Sequence, residues 1–319
     1  MNVILSNPID PALDLWGSIA LLSTLGFVLG FALNHGSICT VIATREFVLE
    51  KRPVRSIALL ECSLWATLAY AILEKSPMMH QGWSPLSYLI PAAVLFGIGS
   101  YVNGACLFGS VGHFGNGDVE FGFAFLGMYG AFYTESVFGL VPDQPPISAS
   151  LSIEAVPTAL ALLAFLAIRL SLSLRSELNF WRLTLSMCAI GSSFTILAVF
   201  SPAFTITALF GSVASIPITG ALIVASMFGG SLVSARVRKR QFMLRWPTVN
   251  TVIRRLFGGI LMGWGVLLIP GGNDALLMIG FPMVAWQAAL AYSLLVGTIA
   301  ALTVQFGSTV PARDNASLT

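Results

Sequence analysis

The feature that most constrains this chain is a near-continuous succession of apolar runs, at 16–38, 56–74, 86–106, 121–139, 155–170, 183–200, 205–235, 256–270 and 284–307. A run of about 20 apolar residues is what an α-helix needs to cross the hydrocarbon core of a bilayer, where the helix satisfies its own backbone polar groups. Charged residues fill only 9% of the 319 positions, against about a quarter in soluble domains. A water-soluble fold has nowhere to put so much apolar surface. We therefore expect an all-α integral membrane protein of about nine transmembrane helices, with residues 1–319 forming a single transmembrane domain. Asp10 and Asp14 precede the first run in place of a basic segment, and no small-residue cleavage motif follows it, which predicts a retained first helix.

Lysine and arginine set the orientation, because short loops rich in them stay on the cytoplasmic side. Arg45, Lys51, Arg52 and Arg55 follow the first run; Arg169, Arg175 and Arg182 the fifth; Arg236, Arg238, Lys239, Arg240, Arg245, Arg254 and Arg255 the seventh. These are 14 of the 16 basic residues. Every cluster follows an odd-numbered run, so the N-terminus is expected outside and the C-terminus, with Arg313, in the cytoplasm; Lys75 alone falls outside. Topology accounts for the basic loops, and no nucleic-acid partner is expected.

One internal echo stands out. At an offset of 166, Ala93–Cys106 (AVLFGIGSYVNGAC) lies over Gly259–Gly272 (GILMGWGVLLIPGG), with Gly97 and Gly99 over Gly263 and Gly265. The two stretches belong to runs that should cross in opposite directions, the relation of an inverted repeat with halves at approximately 16–139 and 183–307. Transporters with that symmetry bind substrate where helices are broken and their N-terminal dipole ends face an anion. The glycine, proline and small polar residues that break helices occur in three places: His35-Gly36-Ser37-Ile38-Cys39-Thr40, Asn103 to Gly109, and Pro270-Gly271-Gly272-Asn273-Asp274.

Four cysteines, Cys39, Cys62, Cys106 and Cys188, form no CxxC pair, so neither a disulfide framework nor a zinc site is expected, and no cofactor is called for. Cys39 and Cys106 end glycine-containing turns, whereas Cys62 and Cys188 lie in ordinary apolar runs and read as packing residues. A neutral thiol donates a weak S–H bond without repelling an anion. We expect Cys39 and Cys106 to meet and the other two not to join them. Gly36, Gly104, Gly271 and Gly272 complete the candidate site, together with His35, Asn103 and Asn273, polar groups that need a partner or a cavity at membrane depth. Gly26 and Gly30, in GxxxG spacing, read as helix-packing glycines. Glu61 and Glu135 lie within runs and are candidates for proton coupling, Glu61 alternatively reaching to Arg52 or Arg55; His113, Asp118 and Glu120 read as a solvated connection.

On these residues the chain resembles the YeeE/YedE family of sulphur-transport membrane proteins, over most of its length. The resemblance rests on the G-x-x-C turn Gly36 to Cys39 followed by Arg45, on Gly97-x-Gly99 leading to Gly104-Ala105-Cys106, and on Leu261 to Gly265 leading to Pro270 to Asp274. It implies an inverted-repeat fold of the bacterial inner membrane with short re-entrant helices meeting centrally. Its implied activity is import of thiosulfate, or a related sulfur or selenium anion, along cysteine thiols, with a TusA-like soluble sulfur carrier as a possible partner at the cytoplasmic face. Members that import thiosulfate use three cysteines, in the order Cys39, Cys106 and the position of Gly272. The third thiol is thus missing here, and we expect Gly272→Cys to be tolerated.

The sequence accordingly points to a transporter and not an enzyme, while leaving open a membrane-embedded thiol or sulfur-transfer enzyme and a non-transporting membrane subunit. Its most direct consequence is topological. A cysteine placed near Arg240 should resist an impermeant thiol reagent applied to intact cells, and one placed between Pro142 and Glu154 should react. Labelling of the first from outside, with membrane integrity verified, reverses the orientation.

Overall fold

A computed structural model describes residues 15–79, 81–142, 144–149, 153–173, 179–201, 204–211, 218–238 and 247–307. Asp10, Asp14, Arg175, Lys239, Arg240, Arg245 and Arg313, used above for topology, lie outside the described residues.

Each apolar run holds one long helix, and the run at 205–235 holds the short helix Ile206–Gly211 as well. The long helices are α1 (Leu15–His35), α3 (Val54–Ile72), α4 (Leu86–Asn103), α6 (Gly122–Phe138), α7 (Ala155–Ser173), α8 (Phe180–Phe200), α10 (Ile218–Val237), α11 (Val249–Leu268) and α13 (Trp286–Phe306), each of 17 to 21 residues. At about 1.5 Å per residue they match a hydrocarbon core of about 30 Å. Seven helical stretches are long and apolar enough to cross a membrane by length and composition alone; α3, with Arg55 and Glu61, and the 17-residue α6 are not among them. Between the long helices lie short ones: α2 (Thr40–Leu49), α5 (Leu107–Gly115), α9 (Ile206–Gly211) and α12 (Asn273–Ala275), the last continuing as a π-helical turn at Leu276–Gly280.

The element order is therefore long–short–long four times, twice before α7 and twice after it. Packing obeys the same repeat. α1 lies on α10 as α8 lies on α3; α4 on α13 as α11 on α6; α2 on α13 as α9 on α6; and α5 on α10 as the π turn on α3. Exchange of the two halves thus maps contacts onto contacts, a pseudo-two-fold architecture in which α7 has no counterpart. The glycine echo is part of it. A side chain at Gly97 would strike Thr298 and Leu295 of α13, and one at Gly263 would strike Ala131 and Met128 of α6. Gly99 and Gly265 pack across the α4–α11 contact, and Gly26 and Gly30 bring α1 against the backbone of α10 at Ile223 and Met227. Small residues at these points let helix backbones approach closely, the usual source of association in lipid.

The connections sort by face. Arg238, at the end of α10, donates to Asn34 O (2.9 Å) and Ser37 Oγ (2.7 Å) after α1, and Arg55 of α3 donates to Ser37 O (2.7 Å). Together these two arginines hold Ser37, a non-glycine residue at φ +50°, in the sterically disfavoured left-handed region. The connections after α3 and α6 instead meet in a two-residue antiparallel ribbon, Met78↔Ser148 and Met79↔Ile147.

Arg169 departs from its expected place. It is a residue of α7 with no exposed side chain, ion-paired to Glu61 of α3, bonded to Thr184 Oγ1 and to Phe180 O (3.1 Å) of α8, and stacked on the Phe180 ring at 4.7 Å. Glu61 therefore reaches neither Arg52 nor Arg55; its other oxygen accepts from Trp65 Nε1 at 3.1 Å, and Arg55 pairs with Glu46 at 3.0 Å. A charge pair so buried fixes geometry more than it adds stability, but losing one partner strands the other. Glu61→Gln should cost about 3–5 kcal/mol, read as a fall in thermal midpoint of the purified protein, and the double change Glu61→Leu/Arg169→Met should recover most of it.

Candidate functional site

A short helix that starts inside a buried core exposes backbone N–H groups that need acceptors. At α2 and α5 those acceptors are cysteine sulfurs, used reciprocally. Cys39 is the extended N-cap of α2 and Cys106 the extended N-cap of α5. The Thr40 N–H donates to Cys106 Sγ at 3.2 Å, and the Cys106 N–H donates to Cys39 Sγ at 3.4 Å. Both residues are buried, and the two thiols that sequence brought under suspicion do come together. Gly109 makes room for them: a Cβ there would lie 2.5 Å from Cys39 Sγ.

The turns before these helices are built by the residues expected of them. Gly104 (φ +75°) closes α4 in the left-handed conformation, whereas α11 ends at an extended Ile269 and Gly271 (φ +91°) makes the turn two residues later. Gly36 packs against Ile38 and Ser186, where a side chain would not fit. Asn103 staples its own turn, with Nδ2 donating to Ala105 O (2.7 Å) and Ser110 Oγ (2.9 Å).

The second half solves the same problem differently. Gly272 is the N-cap of α12, and its N–H points to Thr207 Oγ1 at 3.4 Å. The amides that open α9 are taken by a carboxylate: Asp274 Oδ2 accepts from Ile206 N (2.7 Å) and Thr207 N (3.3 Å). Asn273 ties the halves together through Nδ2 to Thr40 Oγ1 (3.4 Å), while its Oδ1, like Asp274 Oδ1, is buried without a hydrogen-bond partner. Tyr292 on α13 stands close to the Thr40 side chain. Thr40, Thr207, Asp274 and Tyr292 were not singled out from sequence. The offset of the echo carried a signal for one neighbour, since Cys39 maps to Thr205, whose hydroxyl lies 2.9 Å from that of Thr207.

His35 stands apart from the thiol pair, as the last residue of α1, stacked on Phe31 at 5.3 Å and within the fields of Arg182 and Arg238. A cleft lined by Asn34, Ser37, Ile42, Gly112, His113 and Asn116 leads from this arginine-rich face to Cys39. His113 and Asp118 are not solvated, as expected above, but buried and paired at 3.2 Å. His113 stacks on Phe121 (4.4 Å), and the Arg255 guanidinium lies 3.9 Å over the other side of that ring while pairing with Glu120 at 3.5 Å. Cys62 packs against Met187 O and Met278 Sδ, and Cys188 lies half-buried near Ser192. Glu135 is occupied at the end of α6, where it accepts from the Leu140 and Val141 amides at 3.0 to 3.2 Å. Among the described residues no cluster of side chains is suited to a metal ion.

A family model described as Sulphur transport matches the chain twice, over residues 35–178 and 148–301. No curated protein matches it significantly.

Gly272 is not an empty place where a thiol once stood. A Cβ there would come 2.6 Å from the Thr207 methyl and 2.9 Å from Asp274 Oδ1, so Gly272→Cys, expected above to be tolerated, requires one of these side chains to shift. Overpacking of this kind costs about 1–3 kcal/mol. Gly272→Cys should lower the thermal midpoint of the purified protein, and adding Thr207→Ser, which removes the methyl, should recover part of the loss; an unshifted midpoint in the single variant would show that the pocket yields without cost.

Proposed function

The chain belongs to the sulphur transport family, and on that premise we propose that it imports a small sulfur-containing oxyanion, thiosulfate first among them, by passing it across the Cys39–Cys106 pair. The observation that carries this reading is the reciprocal amide–thiol contact, Thr40 N to Cys106 Sγ and Cys106 N to Cys39 Sγ. An incoming oxyanion is a better acceptor than a thiol for those two N–H groups, because charge-assisted hydrogen bonds are the stronger ones. On displacement each thiol is released to turn its S–H toward the anion. The sulfurs thus hold the site in its empty state and serve it in its filled state.

Among the described residues neither thiol has a hydrogen bond or ion pair with Lys or Arg, and we read the pair as a transient binding place for an anion. With all nine long helices crossing the bilayer, α1 and α8 run in opposite directions and the two halves are inverted. The face carrying Arg55, Arg182 and Arg238 is then cytoplasmic, in a bacterial inner membrane, and the cleft from that face to Cys39 is the exit. There a TusA-like carrier would meet the anion. With Gly272 packed against Thr207 and Asp274, the third donor is a backbone N–H or the Asn273 amide in place of a thiol, an arrangement open to related sulfur or selenium anions.

Each desolvated donor is worth about 1–3 kcal/mol, or about tenfold to a hundredfold in an equilibrium. Uptake of 35S-labelled thiosulfate at matched membrane abundance should fall by about that range in Cys106→Ala and Cys39→Ala, and stay near wild type in Cys62→Ala and Cys188→Ala. Gly109→Ala, which crowds the Cys39 sulfur without removing a donor, should also lower it. Full uptake by Cys106→Ala would refute the thiol route.

A further inference from the structure

Among the described residues the buried carboxylates divide into those paired with a basic side chain and one, Asp274, that is not. Glu46 has Arg55, Glu61 has Arg169, Asp118 has His113 and Glu120 has Arg255. Glu135, at the margin of α6, is held by two amides. Asp274 is wholly buried, and among the described residues no Lys, Arg or His is bonded to it. One of its oxygens takes the amides of Ile206 and Thr207, while the other has no hydrogen-bond partner. It also adjoins the thiol site: Asn273, the preceding residue, bonds Thr40, and the Thr40 amide bonds Cys106.

An ionised carboxylate with a vacant oxygen beside an anion's path repels the anion; a protonated one has an O–H to offer. We propose that Asp274 couples transport to protons: it binds one proton on Oδ1 from the outer side as the oxyanion enters the thiol site, is neutral while the anion is there, and releases that proton to the cytoplasm as the anion leaves. One proton then accompanies each anion, the only bond made and broken is the O–H of Asp274, and the net negative charge moved falls by one. The inference rests on the transport reading and adds its driving force.

The titratable groups on the elements packed around Asp274 and the π turn that follows it are Cys39 and Cys106 at the starts of α2 and α5, Tyr292 on α13 and Cys62 on α3. α9 contributes the hydroxyls of Thr205 and Thr207. α11 carries Arg254 and Arg255 in its first turns, at the end remote from Asp274, with Arg255 held by Glu120. The two carboxylates suggested by sequence, Glu61 and Glu135, are both engaged elsewhere.

The test uses purified full-length protein in liposomes, with labelled thiosulfate outside and a pH-sensitive dye inside. If one proton travels with each anion, an inward gradient of about one pH unit raises steady-state accumulation about tenfold, and adding thiosulfate acidifies the lumen. Asp274→Asn keeps an oxygen for the Ile206 and Thr207 amides but cannot ionise. Thiosulfate entry should be slower in this variant, and the entry that remains should neither respond to the gradient nor move protons. Coupling retained in Asp274→Asn overturns the assignment. Should that variant not reach the membrane intact, the wild-type measurement decides: thiosulfate entry without lumen acidification overturns proton coupling and leaves the transport reading standing, whereas a wild type that moves no sulfur oxyanion overturns both.

Discussion

Four helix starts lie inside the protein, and the rest of the structure is arranged to satisfy them. In a buried apolar interior a backbone N–H without an acceptor costs on the order of a few kcal/mol, so interrupting helices at Cys39, Cys106, Thr205 and Gly272 is tolerable only where something accepts. The acceptors differ by half. The first half uses two thiols, each serving the other's helix; the second uses one carboxylate and one hydroxyl. Thiols are weak acceptors that a stronger one displaces, whereas a carboxylate is held. Repeat-related positions thereby acquire unlike roles, a yielding pair at α2 and α5 and a fixed clasp at α9.

The long helices follow from this constraint. Two long–short–long units per half bring the short helices to one place only if their long neighbours pack closely, and the glycines serve that packing. Gly97, Gly99, Gly263 and Gly265 allow α4, α6, α11 and α13 to meet backbone to backbone, while Gly26 and Gly30 do so for α1 and α10. α7, outside the exchange of halves, is tied in by the Arg169–Glu61 pair and by Thr184. On the arginine face, Arg55 and Arg238 hold the left-handed Ser37, which sets the direction in which α2 leaves α1 and so the place of Cys39.

Much of this was legible in the sequence where a one-dimensional signal carries the physics. Helix length reads directly from apolar runs, because the bilayer sets it. The turns read from glycine, because φ near +75° or +91° at Gly104 and Gly271 suits few other residues. Cys106, at the end of the Gly104 turn, and Cys39, after Gly36 and Ser37, were distinguishable from Cys62 and Cys188 by these glycine-containing turns. Contacts between distant segments were not legible. Nothing local says that Arg169 lies inside α7 against Glu61, 108 positions away, rather than in a loop. The burial of His113 and Asp118 depends on Arg255, far along the chain, covering the Phe121 ring. A polar segment looks solvated until its partners are known, and here the partners come from other helices.

The loss of the third cysteine looks different in this light. From sequence alone, Gly272 reads as a deletion: a donor gone and a space left. Its surroundings are occupied: Thr207 and Asp274 fill the volume beside it and Asp274 secures the start of α9. A thiol at 272 would compete for that volume, so Gly272, Thr207 and Asp274 form one arrangement rather than three independent positions. On the transport reading, the polar capacity beside Gly272 is that of Asp274 and Asn273, each with a buried oxygen that bonds nothing. Such atoms are costly in an interior and persist where a passing group completes them. What completes them has to bring a proton or an N–H or O–H donor, which an oxyanion alone does not; a proton on Asp274 meets the need for one of the two.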